Sequence, residues 1–287
     1  MHWQTSRFTI DLSQPKVMGI VNVTPDSFSD GGLHATTRDA LTHCERLLKE
    51  GAALLDIGGE STRPGASPLP LHEELARIVP VVREAVQLGV PVSVDTYKPR
   101  VMQAALDLGV DIVNDIWALR WQDPLDPLEA TRVLANHGRC GVCLMHMHGE
   151  PGTMQVRPMQ GDALPVVMAF LRNSASQLGK SGVAAGRIVL DPGIGFGKSP
   201  QQNFSLLARQ RELLALGYPL LVGWSRKSSL AGVASPPVEL PRPEAMHPLL
   251  PPSLAAAVLA LERGAAIVRV HDVLPTVQAL RVLQALN

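Results

Sequence analysis

Short apolar runs recur along the chain, each ending in polar residues and each followed by a longer stretch whose apolar positions have helical spacing. The runs occupy residues 16–23, 53–57, 91–94, 111–116, 140–145, 187–190, 219–223 and 265–270. They are short and rich in Val, Ile and Leu, which predicts strands buried on both faces. Helical spacing covers residues 37–50, 71–88, a stretch up to 108, then 127–137, 162–178, 202–216, 253–263 and a last segment reaching 286. Gly51, Gly89 and Gly109 stand where the first three of these stretches stop. Strands alternating with helices imply parallel pairing through helical crossovers. Eight such units predict an α/β fold, a closed (β/α)8 or TIM barrel forming a single domain over residues 1–287. A doubly wound sheet of six strands with a small second domain is the rival, but no linker or composition break supports it.

One segment breaks the pattern. Residues 232–252 hold prolines at 236, 237, 241, 243, 248, 251 and 252. That density argues against helix and central strand alike, and predicts a long loop on the rim where the strands end.

Composition narrows the function. Lys plus Arg and Asp plus Glu are equal at 26 each, so no bulk field recruits nucleic acid or an acidic membrane. Any anion site must be local. The first fifteen residues carry no apolar core of a secretory signal, and no run is long enough to span a bilayer. Three cysteines, an odd number, fit a reducing cytoplasm better than a disulfide framework.

The chemistry concentrates where the strands end. In a barrel all eight C-terminal strand ends meet at one mouth. Asn22, Asp56, Asp95, Asn114, Asp191, Lys227, Arg269 and His271 would then face one another although far apart in sequence. Helix caps and turn residues account for one or two of these, not for the set. Asp95, Asn114 and Asp191 suit a flat heterocycle with adjacent N–H donors, because carboxylates accept and an amide does both. Arg269 and His271, two apart on one strand, share a face. With Lys227 they predict a cationic corner at the last two βα loops, where barrels often bind phosphate. Surface salt-bridge partners are the bland alternative, and the anion site is preferred to it because position and charge agree independently.

The sequence resembles dihydropteroate synthases along essentially its whole length. The resemblance rests on the stretch from Asn22-Val23-Thr24-Pro25-Asp26-Ser27-Phe28 to Gly32, and on Asp56-Ile57-Gly58-Gly59-Glu60-Ser61-Thr62-Arg63-Pro64-Gly65. It continues through Asp95-Thr96, Lys98-Pro99, Asn114-Asp115, Met145-His146-Met147, Asp191-Pro192-Gly193-Ile194-Gly195-Phe196-Gly197-Lys198, Ser225-Arg226-Lys227-Ser228 and Arg269-Val270-His271-Asp272. It implies a pterin-binding barrel of folate biosynthesis. Such an enzyme condenses 6-hydroxymethyl-7,8-dihydropterin pyrophosphate with p-aminobenzoate, with Mg²⁺, and is a sulfonamide target. The resemblance further implies a homodimer. Carried over residue by residue, it assigns Asp56, Thr62, Asp95, Asn114, Asp191, Lys227, Arg269 and His271 to pterin and pyrophosphate. It assigns Thr62, Arg63, Pro64, Phe196, Lys227 and Ser228 to p-aminobenzoate, and Asn22 to the metal. Asp95, Asp191, Lys227, Arg269 and His271 would carry the catalysis. One departure is Leu249-Leu250-Pro251-Pro252-Ser253, where the family usually leads into its last-but-one helix with an Arg and a Gly-Ser or Gly-Thr pair.

Other signals carry less. Cys140 and Cys143, three apart on a strand, point to opposite faces and so do not chelate together. His146 and His148 share a face but have no evident third ligand. The Gly193–Ser199 stretch mimics a phosphate loop, but Pro192 falls where its first glycine belongs. Trp117 and Trp121 read as packing. A pterin-dependent methyltransferase domain would share the barrel and the acids yet have no use for Ser61-Thr62-Arg63-Pro64 or a pyrophosphate corner. A Schiff-base aldolase using Lys227 and a non-catalytic folate-binding module are the remaining alternatives.

Overall fold

The chain opens with an antiparallel hairpin that the apolar pattern does not announce: β1 (His2–Gln4) pairs with β2 (Thr9–Asp11), with Trp3 opposite Ile10. In the computed structural model, which describes residues 1–24, 32–61, 66–234 and 247–286, eight parallel strands follow. They are β3 (Lys16–Asn22), β4 (Leu54–Gly58), β5 (Val92–Asp95), β6 (Ile112–Asp115), β7 (Gly141–Met145), β8 (Ile188–Asp191), β9 (Leu221–Val222) and β10 (Ile267–Val270). Neighbours in sequence are neighbours in space, and β10 pairs with β3. A parallel bridge between Leu190 and Leu220 joins β8 to β9 and closes the ring. This is the predicted barrel, its eight strands joined into a ring.

Among the described residues ten α-helices pack around it: α1 (Gly32–Lys49), α2 (Leu71–Ala85), α3 (Pro99–Asp107), α4 (Ala130–His137), α5 (Ala163–Lys180), α6 (Pro200–Ala208), α7 (Gln210–Leu213), α8 (Ser228–Ala234), α9 (Leu250–Glu262) and α10 (Val273–Gln284). Local chemistry starts several of them. Asp162 caps α5 by accepting from Leu164 N at 3.1 Å. Ser199 and Gln202 form a reciprocal capping box at α6. The helix expected over 202–216 is divided, because Arg209 leaves helical geometry at φ −103°, ψ 15°.

The proline-rich segment corrects its prediction at both ends. Residues 228–234 are helical, and Pro251 and Pro252 lie in the first turn of α9. A helix's first N–H groups have no partner inside the helix, so proline there gives up no hydrogen bond. The stretch from 235 to 246 falls outside the described residues.

Strand period sorts the core into shells. Val17, Val21, Leu55, Ile57 and Val113 face outward into the large cluster beneath the helices. Met18, Leu54, Ile112, Cys143, Val189, Leu221 and Ile267 point inward and meet Trp3, Ile10 and Leu12 from the hairpin. The hairpin thus plugs the N-terminal end of the barrel. Trp3 is fully buried and its Nε1 donates to Arg187 O at 2.8 Å. Cys140 and Cys143 fall in different clusters, as their spacing requires.

Candidate active site

Two residues beyond each member of the inner apolar layer, the next inward position reaches the mouth. Leu54 is followed by Asp56, Ile112 by Asn114, Val189 by Asp191 and Ile267 by Arg269. The period that fills the barrel therefore also lifts these polar groups to one level.

Arg269 ties them together. Its Nε donates to Asp56 Oδ2 at 2.5 Å and its Nη2 to Asp95 Oδ2 at 2.7 Å. Asn114 Nδ2 donates to the same Asp56 oxygen at 3.0 Å. Asp56 Oδ1 is buried without a hydrogen-bond partner among the described residues. A buried acceptor left this way costs about 1–3 kcal/mol unless something donates to it. Burial favours the protonated form of Asp95 and raises its pKa, while the Arg269 charge pulls it down. Burial likewise works against the Arg269 charge, but Asp56 and Asp95 outweigh it and hold the guanidinium ionised. The expected corner of three cations is therefore mixed: its arginine is shared between two acids.

Asp191 stands on the opposite arc. Its Oδ1 accepts from Gly193 N at 2.7 Å, and burial pushes its pKa up to about 6. Lys227 Nζ lies 4.3 Å from the Phe196 ring centroid. Burial pulls the ammonium down to about 8, against the opposing charge of Asp191; Arg269 and Asp95 also act on it. Asp95, Asp191, Lys227 and Arg269 thus sense one another's charges around one mouth.

The loops that hold these groups are built by close backbone contacts. Gly193 and Gly197 both have φ of 68°, and a Cβ would lie 1.9 Å from His146 O and 2.1 Å from His148 O. Only glycine fits such approaches. The buried Lys198 ammonium donates to His146 O at 3.2 Å, Gly193 O at 2.8 Å and Phe196 O at 3.2 Å. The glycine-rich stretch is therefore tied by its own lysine beneath Phe196. Before Lys227, Arg226 takes φ 58° and is held by Asp272 at 3.0 and 2.7 Å. Its backbone N donates to Ser253 Oγ at 2.9 Å, so the Ser253 that follows the two prolines braces this turn. Ser225 Oγ, 3.0 Å from His271 Nδ1, orients the imidazole.

Asn22, half-buried at the end of β3 opposite Gly58, and Ser228, exposed at the start of α8, lie on the same C-terminal side. Thr62, Arg63 and Pro64 fall outside the described residues, as do Pro25 to Gly31 of the first loop. No group of three His, Cys, Asp or Glu able to hold a metal occurs among the described residues. The amide oxygen of Asn22 still suits magnesium, a hard cation that takes few protein oxygens and completes its shell with phosphate and water.

Sequence reasoning passed over two features. Lys98, Glu60 and Glu74 form a buried ionic cluster beside the mouth. A cavity of about 580 Å³ opens alongside, lined by Tyr97, Trp117 and Trp121 among others. A lysine directly before a helix-starting proline was the one visible hint of the cluster.

Acids and an amide at one end of a polar mouth, with cations beside them, define a barrel enzyme for a flat heterocycle bearing an anionic group. The model of the pterin binding enzymes matches residues 18–271. The chain is 47% identical over 290 aligned residues to the dihydropteroate synthase of Neisseria meningitidis serogroup B, covering 99% of this chain and 97% of that one. The Yersinia pestis dihydropteroate synthase, solved with a sulfonamide drug complex, superimposes with a TM-score of 0.88 at 42% identity, covering 100% and 99% of the two chains. That of Burkholderia cenocepacia, complexed with 7,8-dihydropteroate, gives 0.83 at 45% identity, covering 99% and 96%. The chain belongs to the dihydropteroate synthase family, pterin-binding transferases of folate biosynthesis.

Proposed function

We propose that this chain joins 6-hydroxymethyl-7,8-dihydropterin pyrophosphate to p-aminobenzoate, releasing pyrophosphate and 7,8-dihydropteroate. The observation that carries the residue assignments is the single mouth at which Asp56, Asp95, Asn114, Asp191, Lys227 and Arg269 meet. Asp95, Asn114 and Asp191 accept from the ring N–H groups and amine of the pterin, and Asp56 Oδ1 is a further acceptor at the same level. Loss of pyrophosphate leaves positive charge on the pterin methylene, conjugated with the ring. The fixed carboxylates of Asp95 and Asp191 stabilise that cation. Arg269 and His271 face the departing pyrophosphate, with Lys227 between the ring and the second substrate. Asn22 would hold magnesium, which when bound neutralises charge on the phosphate oxygens. Phe196, Lys227 and Ser228 border the p-aminobenzoate side, with Thr62, Arg63 and Pro64 assigned to it by resemblance. The arylamine attacks as a neutral nucleophile, and the proton its nitrogen sheds on becoming the secondary amine passes to solvent, so no side chain need abstract it beforehand.

Incubation with the pterin pyrophosphate, p-aminobenzoate and Mg²⁺ should yield dihydropteroate and pyrophosphate in equal amounts, and chelation should stop both. Pyrophosphate release with 6-hydroxymethyldihydropterin as the only pterin product would refute the transfer. The family implies a homodimer, and exposed Leu259 on α9 and Leu274 and Val282 on α10 offer apolar surface for one. Sedimentation equilibrium tests it. Among the described residues no helix is long and apolar enough to cross a membrane, and the three cysteines are free and buried. A cytoplasmic location fits both.

A further inference from the structure

Behind the mouth, one buried amide joins two loops of neighbouring βα units. The loop after β8 carries Gly195 and Phe196, and the loop after β9 carries Lys227 and leads into Ser228 at the start of α8. Asn203, on α6, is fully buried and bonds to both. Its Oδ1 accepts from Gly195 N at 3.0 Å. Its Nδ2 donates to Ser229 Oγ at 2.9 Å and, over a longer 3.4 Å, to Lys198 O. Ser229 directly follows Ser228 and is itself buried. A primary amide both accepts and donates, so one side chain can hold a backbone N–H on one loop and a hydroxyl on the other.

What Gly195 touches gives the join its meaning. A Cβ on this glycine, at φ 83°, would lie 3.2 Å from Lys227 Cδ and 3.6 Å from its Nζ. The Lys227 stem therefore rests against a bare α-carbon, and its Nζ reaches to 4.3 Å from the centroid of the next residue's ring, Phe196. Gly195 O accepts from Gln155 Nε2 at 2.7 Å, so this backbone is held from both sides. Asp56, Asp95 and Asn114 stand on β4 to β6, across the ring from β8 and β9. A change in the join would thus move one side of the mouth and leave those three in place. Anchoring the glycine loop to α6 needs only the bond to Gly195. The bond to Ser229 reaches into the next βα unit, which fixes a separation rather than a single loop. Such separations matter, because a shift of about 1 Å in a positioning group can cost about 10²-fold in rate.

We propose that Asn203 is a positioning residue for the arylamine substrate: by tying Gly195 to Ser229 it sets the gap between Phe196 and the start of α8. This rests on the assignment of Phe196, Lys227 and Ser228 to p-aminobenzoate. The test uses the full chain, with steady-state kinetics in each substrate and calorimetric binding of 6-hydroxymethylpterin. Asn203→Leu removes both bonds at similar volume, and Ser229→Ala removes only the link to α8. Each should raise KM for p-aminobenzoate roughly tenfold, with pterin affinity held within about threefold. The double variant should raise that KM no further than Asn203→Leu alone, the sign of two residues acting through one contact. Equal losses for both substrates, or a lower Tm with both KM values unchanged, would overturn the proposal. Phe196→Ala probes the assignment beneath it. If that variant raises KM for p-aminobenzoate while Asn203→Leu and Ser229→Ala do not, the proposal fails alone; if it leaves KM unaltered, the assignment fails first and the proposal goes with it. Should Asn203→Leu fail to fold, Ser229→Ala decides the matter, since it deletes one hydroxyl and leaves the bond to Gly195 intact.

Discussion

The role proposed for Asp191 at the ring ties pterin binding to its titration. Burial raises its pKa from 3.8 to about 6, and only the ionised form accepts on both oxygens. As pH falls through that value the group gains a proton, so pterin binding must weaken on the acid side. Folding runs the other way, because a raised carboxylate pKa favours the folded state at low pH and loses that contribution between about 3.8 and 6. Calorimetry with 6-hydroxymethylpterin, which carries no phosphate to titrate, should show affinity falling below pH 6, with Asp191→Asn weak throughout and flatter. An affinity independent of pH from 5 to 8 in the parent enzyme would remove Asp191 from the ring site. A neighbouring glycine offers a second residue-scale prediction. Gly193→Ala meets a carbonyl oxygen at 1.9 Å, whereas Gly217→Ala, also at positive φ, meets nothing within 4 Å. The first should lose at least about 2 kcal/mol and the second about 1 kcal/mol, measured by thermal denaturation.

Among the elements, the barrel strands were legible and the N-terminal hairpin was not. Strands β3 to β10 show as apolar runs because both faces are covered. The hairpin has three-residue strands with one buried position each, too short for any period to register. Its role depends on Trp3 reaching Arg187 across 184 residues of sequence. Trp3→Ala should lose about 3–5 kcal/mol of stability with KM for both substrates unchanged, since it seals the end away from the mouth. A large change in either KM would mean that the plug and the mouth are coupled. The prolines of α9 teach the complementary lesson. Proline density predicts a loop, yet proline at the first helical positions starts a helix as readily as it breaks one. Position relative to a helix start, which composition does not specify, made the difference.

For the molecule as a whole, the mouth gathers more buried charge than folding requires. Lys227 is held against an aromatic face with its pKa drawn down to about 8 by burial, so its charge is kept at a cost in stability. Lys227→Met should therefore leave Tm unchanged or raised while turnover falls by about 10² or more. Arg269→Met differs because it strands Asp56 and Asp95, and should lower Tm as well as pterin affinity. If both variants lose stability equally, the division of labour between the two cations is wrong.

From sequence alone came the number of barrel strands, their parallel order and the polar residues at or near the ends of most of them, because period and burial are written locally. The candidate acids and cations were legible for the same reason. Their pairings were not. That Arg269 would divide itself between Asp56 and Asp95, that Lys198 would tie three carbonyls, and that Lys98 would draw Glu60 and Leu69 together all depend on approach in space. Hydrogen-bond partners are set by which strand ends and loops the closed ring brings within 3 Å of each other, and no local pattern along the chain encodes that distance.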